Sequence, residues 1–246
     1  MLLKLRHECG EGKHKYILNL IYNTEILKNN TYIASCQKED SPLMFFATFN
    51  DKLRDTLKVV KQNGHALQDV SEELKNDKEV VLEAVKQNGS ALYYTSEELK
   101  GDKEVVLGAV KKDGSVLQYA SEELKGDKEV VFEAVKQNGY GYALVNASEE
   151  LKNDKEVILE AVKQDGYALQ YASLELKGDR EIVLESVKQD GSALQYASEE
   201  LKGDKEVVFE AVKQNGYALY YASEELKNDK EVILEAVKQY YVYWKQ

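Results

Sequence analysis

The chain has little of what most enzymes and secreted domains rely on. Its 246 residues hold a single proline, two cysteines, three histidines and one tryptophan. Two cysteines, Cys9 and Cys36, cannot make a disulfide framework, so a reducing, intracellular setting is the default expectation. His7, Cys9, His14 and Cys36 match no usual zinc-ligand spacing, and no metal or other cofactor is expected. The one histidine further along, His65, stands where other copies of a repeat have Ser or Tyr, which points to an exposed or capping residue and not to a general base. No stretch reaches the roughly 18 apolar residues of a membrane span. The opening Met-Leu-Leu-Lys-Leu-Arg-His reads as neither signal peptide nor anchor. Basic charge is also short: the net charge is −11. Residues 1–50 carry six Lys/Arg against five Asp/Glu, which leaves −12 for the rest. That argues against nucleic acid as a partner, because phosphate binding draws on Lys and Arg.

What is present is a repeat. Glycines at 64, 89, 114, 139, 166, 191 and 216 stand 25 residues apart, except where Gly141-Tyr142 add two. Between them the same letters recur, as in Gly191-Ser-Ala-Leu-Gln-Tyr-Ala-Ser-Glu-Glu-Leu-Lys-Gly-Asp-Lys-Glu-Val-Val-Phe-Glu-Ala-Val-Lys-Gln-Asn215. The regular copies cover 64–239, two worn copies cover 16–63, residues 1–15 form an end piece, and 240–246 form an aromatic C-terminal cap. About nine units in one array make an all-α solenoid, each unit a pair of short helices.

The stops define the pair. Eleven of the fifteen glycines fall at two repeat positions. One follows Lys-Gln-Asn/Asp and closes the second helix. At the other, Gly101, Gly126, Gly178 and Gly203 alternate with Asn76, Asn153 and Asn228, which predicts a left-handed residue at the end of the first helix. The Asp that follows is the N-cap of the second helix. In that helix Val80, Val81, Leu82, Ala84 and Val85 cover more than half the circumference, so it is sandwiched. The first helix has a narrow stripe, Leu92, Thr95 and Leu99 with Ala91, and more free surface. Its recurrent Ser (Ser96, Ser121, Ser198) either bonds back within the helix or caps a new turn. One unit buries five or six aliphatic side chains, too few to stand alone against the entropy of ordering it, so neighbours must cover its faces.

The signature Ala-Leu-x-Tyr-Ala-Ser-Glu-Glu-Leu-Lys-Asn/Gly-Asp-Lys-Glu-Val-Val-Leu-Glu-Ala-Val-Lys-Gln-Asn-Gly resembles the repeat known as domain of unknown function 4116, closely over 64–239 and loosely over 16–63. The resemblance implies an uncharacterised helical repeat and carries over no activity.

No acid, base and nucleophile set emerges, and the Glu-Glu pair of each copy reads as a solvated stripe, so no enzyme is expected. The tyrosines are the candidate surface. Tyr93, Tyr94, Tyr119, Tyr171, Tyr196, Tyr220 and Tyr221 lie on first helices beside the apolar stripe. They either pack across repeat boundaries or form an aromatic face for a protein partner, a basic one if it responds to the array's charge. At the C-terminus Tyr240, Tyr241, Tyr243 and Trp244 prolong the last helix where another glycine would fall. They cap an exposed end or join it to another copy. The expected function is a non-enzymatic scaffold for a protein partner, with end-to-end self-assembly as the alternative.

Overall fold

The computed structural model describes residues 42–137 and 141–243, and every regular element among them is helical. The chain divides into two compact units, Met1–Lys58 and Val59–Gln246. A single 21-residue helix, Pro42–Gln62, stands where the second worn copy was expected to form a helix pair. The end piece 1–15 and the first worn copy lie outside the described residues. From Gly64 onward seven repeats follow, and they make an α-solenoid.

The repeat Gly89–Val110 shows the pattern. Asn88 is extended (φ −146°, ψ 112°), and its side chain accepts a hydrogen bond from Ser90 N–H, which starts a 3₁₀ helix over Gly89–Tyr94. Ser96 is extended in turn (φ −62°, ψ 155°), and its hydroxyl accepts from Leu99 N–H to start the four-residue helix Glu97–Lys100. Asp102 then accepts from the N–H groups of Glu104 and Val105 and starts the helix Lys103–Val110. The first helix of the expected pair is therefore two short elements, and the serine caps a new turn. The break leaves the serine N–H outside any helix, free to reach the preceding repeat. Ser96 N–H donates to the Lys75 carbonyl at 3.3 Å, and Ser198 N–H donates to that of Lys177 at 2.9 Å. Local capping and repeat-to-repeat registry thus come from the same residue.

Both glycine positions differ from their expected roles. Gly101 has φ −95° and ψ −2°, and Asn76 has φ −102° and ψ 6°, so the chain turns there without a left-handed residue. Only Gly141, in the two-residue insertion, takes positive φ among the described residues, at 67°. At Gly89 the helix before it has already ended at Gln87. Here glycine serves contact with the next repeat: a Cβ on Gly89 would lie 2.5 Å from the Ala109 carbonyl oxygen, and one on Gly191 would lie 2.1 Å from that of Ala211. Where Ser186 takes the place of that alanine, its buried hydroxyl donates to the Gly166 carbonyl at 2.7 Å, which closes the same contact with a hydrogen bond.

The second helices pack on one another from repeat to repeat, as do the 3₁₀ helices. Val80, Val81, Ala84 and Val85 are wholly buried, as are Ala91 and Leu92, while Leu82 is half-buried. Burying such side chains contributes about 1.5–3 kcal/mol each. Thr95, at the end of the narrow stripe, satisfies its buried hydroxyl on the Leu92 carbonyl at 3.0 Å.

Candidate functional site

A 3₁₀ helix has three residues per turn, so side chains three apart eclipse each other. In every repeat but the fourth, whose element Tyr142–Asn146 is α-helical, this aligns the residue after the glycine with the one three further on. Along the array the first row reads His65, Ser90, Ser115, Tyr142, Tyr167, Ser192, Tyr217, and the second reads Gln68, Tyr93, Gln118, Val145, Gln170, Gln195, Tyr220. In the glutamine copies the rows are tied together, for Gln170 Nε2 donates to the Tyr167 carbonyl at 3.2 Å and Gln195 Nε2 to that of Ser192 at 3.1 Å. The next residue along is Tyr94, Tyr119, Tyr171, Tyr196 or Tyr221, each half-buried.

These rows meet across repeat boundaries. Tyr93 packs edge-on against Tyr94 at 5.0 Å and against Tyr119 of the following repeat at 5.1 Å. Tyr167 meets Tyr196 of the following repeat at 5.9 Å, and Tyr220 meets Tyr221 at 5.4 Å. Burial pushes the Tyr196 hydroxyl above its ordinary pKa, and the nearby Tyr167, Tyr171 and Tyr221 add to the shift. Those four rings therefore share one neighbourhood. Asn146 interrupts the half-buried row, so the edge has two aromatic groups, one around Tyr93 and Tyr119 and one around Tyr167 to Tyr221.

The predicted residues separate into two kinds. Tyr94, Tyr119, Tyr171, Tyr196 and Tyr221 are partly covered, and their rings belong to the packing between repeats as much as to any outer face. Tyr93 and Tyr220 are exposed, Tyr220 by 71%. Tyr142, Tyr217 and Val145 are exposed as well; the sequence places both tyrosines in the same ladder, although the shorter choice of binding residues leaves them out. The signal for them was the position after the glycine, which changes between Ser, Tyr and His where its neighbours hold constant. Tyr240, Tyr241 and Tyr243 fall within the last helix, Lys230–Tyr243, which runs on past the point where its sisters end. Their side chains lie outside the described residues, as do Trp244 altogether and the residues His7, Cys9, His14 and Cys36.

The charges are largely committed to the fold. Lys78 Nζ reaches both Asp102 and Glu104 of the next repeat at 2.8 Å. The same bridge recurs at Lys103, Lys128, Lys155, Arg180 and Lys205. The bridging aspartate uses its second oxygen to cap its own helix, so one carboxylate both starts a helix and fixes the neighbour. Burial alone would push the Asp102 carboxyl up. The Lys78 ammonium and the Val105 and Glu104 N–H groups outweigh burial and hold it below the usual carboxylate range. Its partner Lys78 is raised by hydrogen bonds to Asp102 and Glu104. The Glu-Glu pair also divides. The first glutamate binds the lysine three residues on, as Glu97 does with Lys100 at 2.7 Å. The second, at Glu123, Glu150, Glu175, Glu200 and Glu225, is exposed and has no ion pair among the described residues. Within the described residues no three His, Cys, Asp or Glu side chains gather as a metal site, and no helix is long and apolar enough to cross a membrane.

A family model described as a domain of unknown function (DUF4116) matches the chain five times, over residues 56–100, 102–152, 140–177, 179–227 and 204–243. No curated protein and no solved structure matches it.

Proposed function

The chain belongs to the DUF4116 family, and from that premise we propose that it is a non-enzymatic scaffold that holds a protein partner against its tyrosine edge. The observation that carries the reading is the set of exposed rings on one repeat-to-repeat edge, Tyr93, Tyr142, Tyr217 and Tyr220. A tyrosine ring offers a large contact area with few rotatable bonds and a polar tip, which is why the residue is enriched where proteins meet. Half-buried rings pack against Tyr93 and Tyr220, so these two side chains have less order left to lose on binding. The free glutamates at Glu123, Glu150, Glu175, Glu200 and Glu225 favour a partner that presents basic residues and make its capture weaken as salt rises.

The test is capture with tagged protein. Replacing Tyr93, Tyr142, Tyr217 and Tyr220 by Ala leaves the buried side chains of the array in place, so helical content should stay while the partner is lost. Undiminished capture by the folded variant sinks the reading. A second reading, association of copies through their ends, is favoured by the uncovered aliphatic side chains Leu234 and Val237 of the last repeat. Deleting Tyr240–Gln246 separates its two forms. If the segment is a cap, removal promotes association; if it is a joint, removal abolishes it.

A further inference from the structure

One lysine of the array is set apart from six others that share its place in the repeat. Lys75, Lys100, Lys125, Lys152, Lys202 and Lys227 each close the short helix after the serine, and each holds the glutamate three residues before it at 2.7–2.9 Å. In the fifth repeat that position is Lys177, but Leu174 stands where the carboxylate would be, 87% exposed. The backbone register is kept: Lys177 N–H donates to the Ser173 carbonyl at 3.0 Å, as Lys202 N–H does to that of Ser198 at 3.0 Å. Leu174 and Lys177 therefore stand as Glu199 and Lys202 do, without the carboxylate.

The Lys177 ammonium has no hydrogen bond or ion pair among the described residues. No buried side-chain nitrogen or oxygen among those residues lacks a partner, so the unpartnered Lys177 Nζ is open to solvent. The side chain as a whole is half-buried, and burial pushes its ammonium below the usual lysine pKa. A reactive amine needs a lone pair on nitrogen and a path to it, and Lys177 has both. At the six sister positions the amine must first leave its glutamate.

We propose that Lys177 is a site of N-acylation by an acyl thioester. The unprotonated Nζ adds to the thioester carbonyl, an N–C bond forms as the C–S bond breaks, and the departing thiolate takes up the proton that the nitrogen sheds. The products are an amide and a thiol. The amide is uncharged, so acylation removes an ammonium whose burial is unfavourable and leaves a neutral chain beside Leu174. Acylation of a sister lysine would instead break its ion pair with the glutamate.

The test is incubation of the full chain with acetyl-coenzyme A, with the acetylation of each lysine followed by peptide mass spectrometry. Lys177 should be acetylated about two- to fivefold faster than each of the six sisters, the advantage of an amine with no partly exposed ion pair to break. Leu174→Glu should lower Lys177 to the sisters' rate, and Glu199→Leu should raise Lys202 toward that of Lys177. Both changes fall on exposed side chains, and circular dichroism checks that both variants keep their helical signal. Acetylation of Lys177 no faster than that of its sisters overturns the site. Rates unchanged in either folded variant overturn the missing carboxylate as its cause.

Discussion

At the scale of residues, two glycines with the same sequence context of helix ends should respond oppositely to the same substitution. Gly191→Ala forces a Cβ to within 2.1 Å of the Ala211 carbonyl oxygen, so two repeats must move apart. The expected cost is about 1–3 kcal/mol or more, seen as a lower unfolding midpoint in urea. Gly101→Ala meets nothing closer than 3.4 Å and keeps ordinary backbone angles, so stability should hold or rise by about 0.4–1 kcal/mol. The left-handed reading of Gly101 failed because Gly and Asn have a second virtue at that spot. Asn76 accepts a hydrogen bond from the Ser96 hydroxyl of the next repeat at 2.5 Å, and in the Gly101 copy the next serine, Ser121, lies close by. A local propensity explains either residue alone; only the neighbouring repeat explains their exchange. The aspartate caps, by contrast, were legible, since a capping carboxylate needs nothing beyond its own helix. Asp77 and Asp102 allow the cap and the bridge to be separated: both cap their helices, but of the two only Asp102 also holds a cation of the preceding repeat among the described residues. Each change to Ala should cost about 0.5–2 kcal/mol for the lost cap. The excess at Asp102 should be no more than about 1 kcal/mol, because the bridge is partly exposed. Chemical denaturation of the two variants measures both terms.

At the scale of elements, the second helix was readable from its apolar width and its Asp start, whereas the first helix was not readable as two. Ala-Leu-x-Tyr-Ala-Ser-Glu-Glu-Leu has a helical period throughout, and the break between Tyr94 and Glu97 is decided by a hydrogen bond to the preceding repeat. The fifth repeat shows what the short helix depends on. Leu174 stands where the sisters have the glutamate that binds the lysine, and the element shrinks to the 3₁₀ turn Leu176–Gly178. Lys177 is left without an ion pair among the described residues, and burial pushes its ammonium below its usual pKa. Leu174→Glu should restore the pair and with it a helical turn, for a gain of about 0.2–0.5 kcal/mol. A Lys177 titration followed by NMR should then move upward. An unchanged titration would mean that the missing carboxylate is not what sets it.

At the scale of the whole array, stability should follow the carboxylates of the ladder. Asp102, Asp127, Asp154, Asp179 and Asp204 are pushed up by burial, but their cations and capped N–H groups more than offset that, so each ends below its ordinary value. A carboxyl with a lowered folded-state pKa adds stability above its unfolded pKa, about 3.9, and loses it as pH falls through the lowered value. The unfolding temperature should therefore be flat near neutrality and drop below about pH 4. The period and the solenoid were legible from the chain. Which tyrosines face outward was not, because the eclipsed rows exist only once the 3₁₀ geometry is known.

The proposed scaffold role stands or falls with the tyrosine edge as the surface that meets a partner. Site-specific photo-crosslinking tests it directly, with the reactive group placed in turn at Tyr93, Tyr217 and Tyr220 and, as controls, at Lys163 and Lys188 on exposed positions of second helices. The account predicts adducts with one recurring partner protein from the three edge positions and none from the controls. Adducts from the lysine positions alone, or the same adducts from all five, would contradict it.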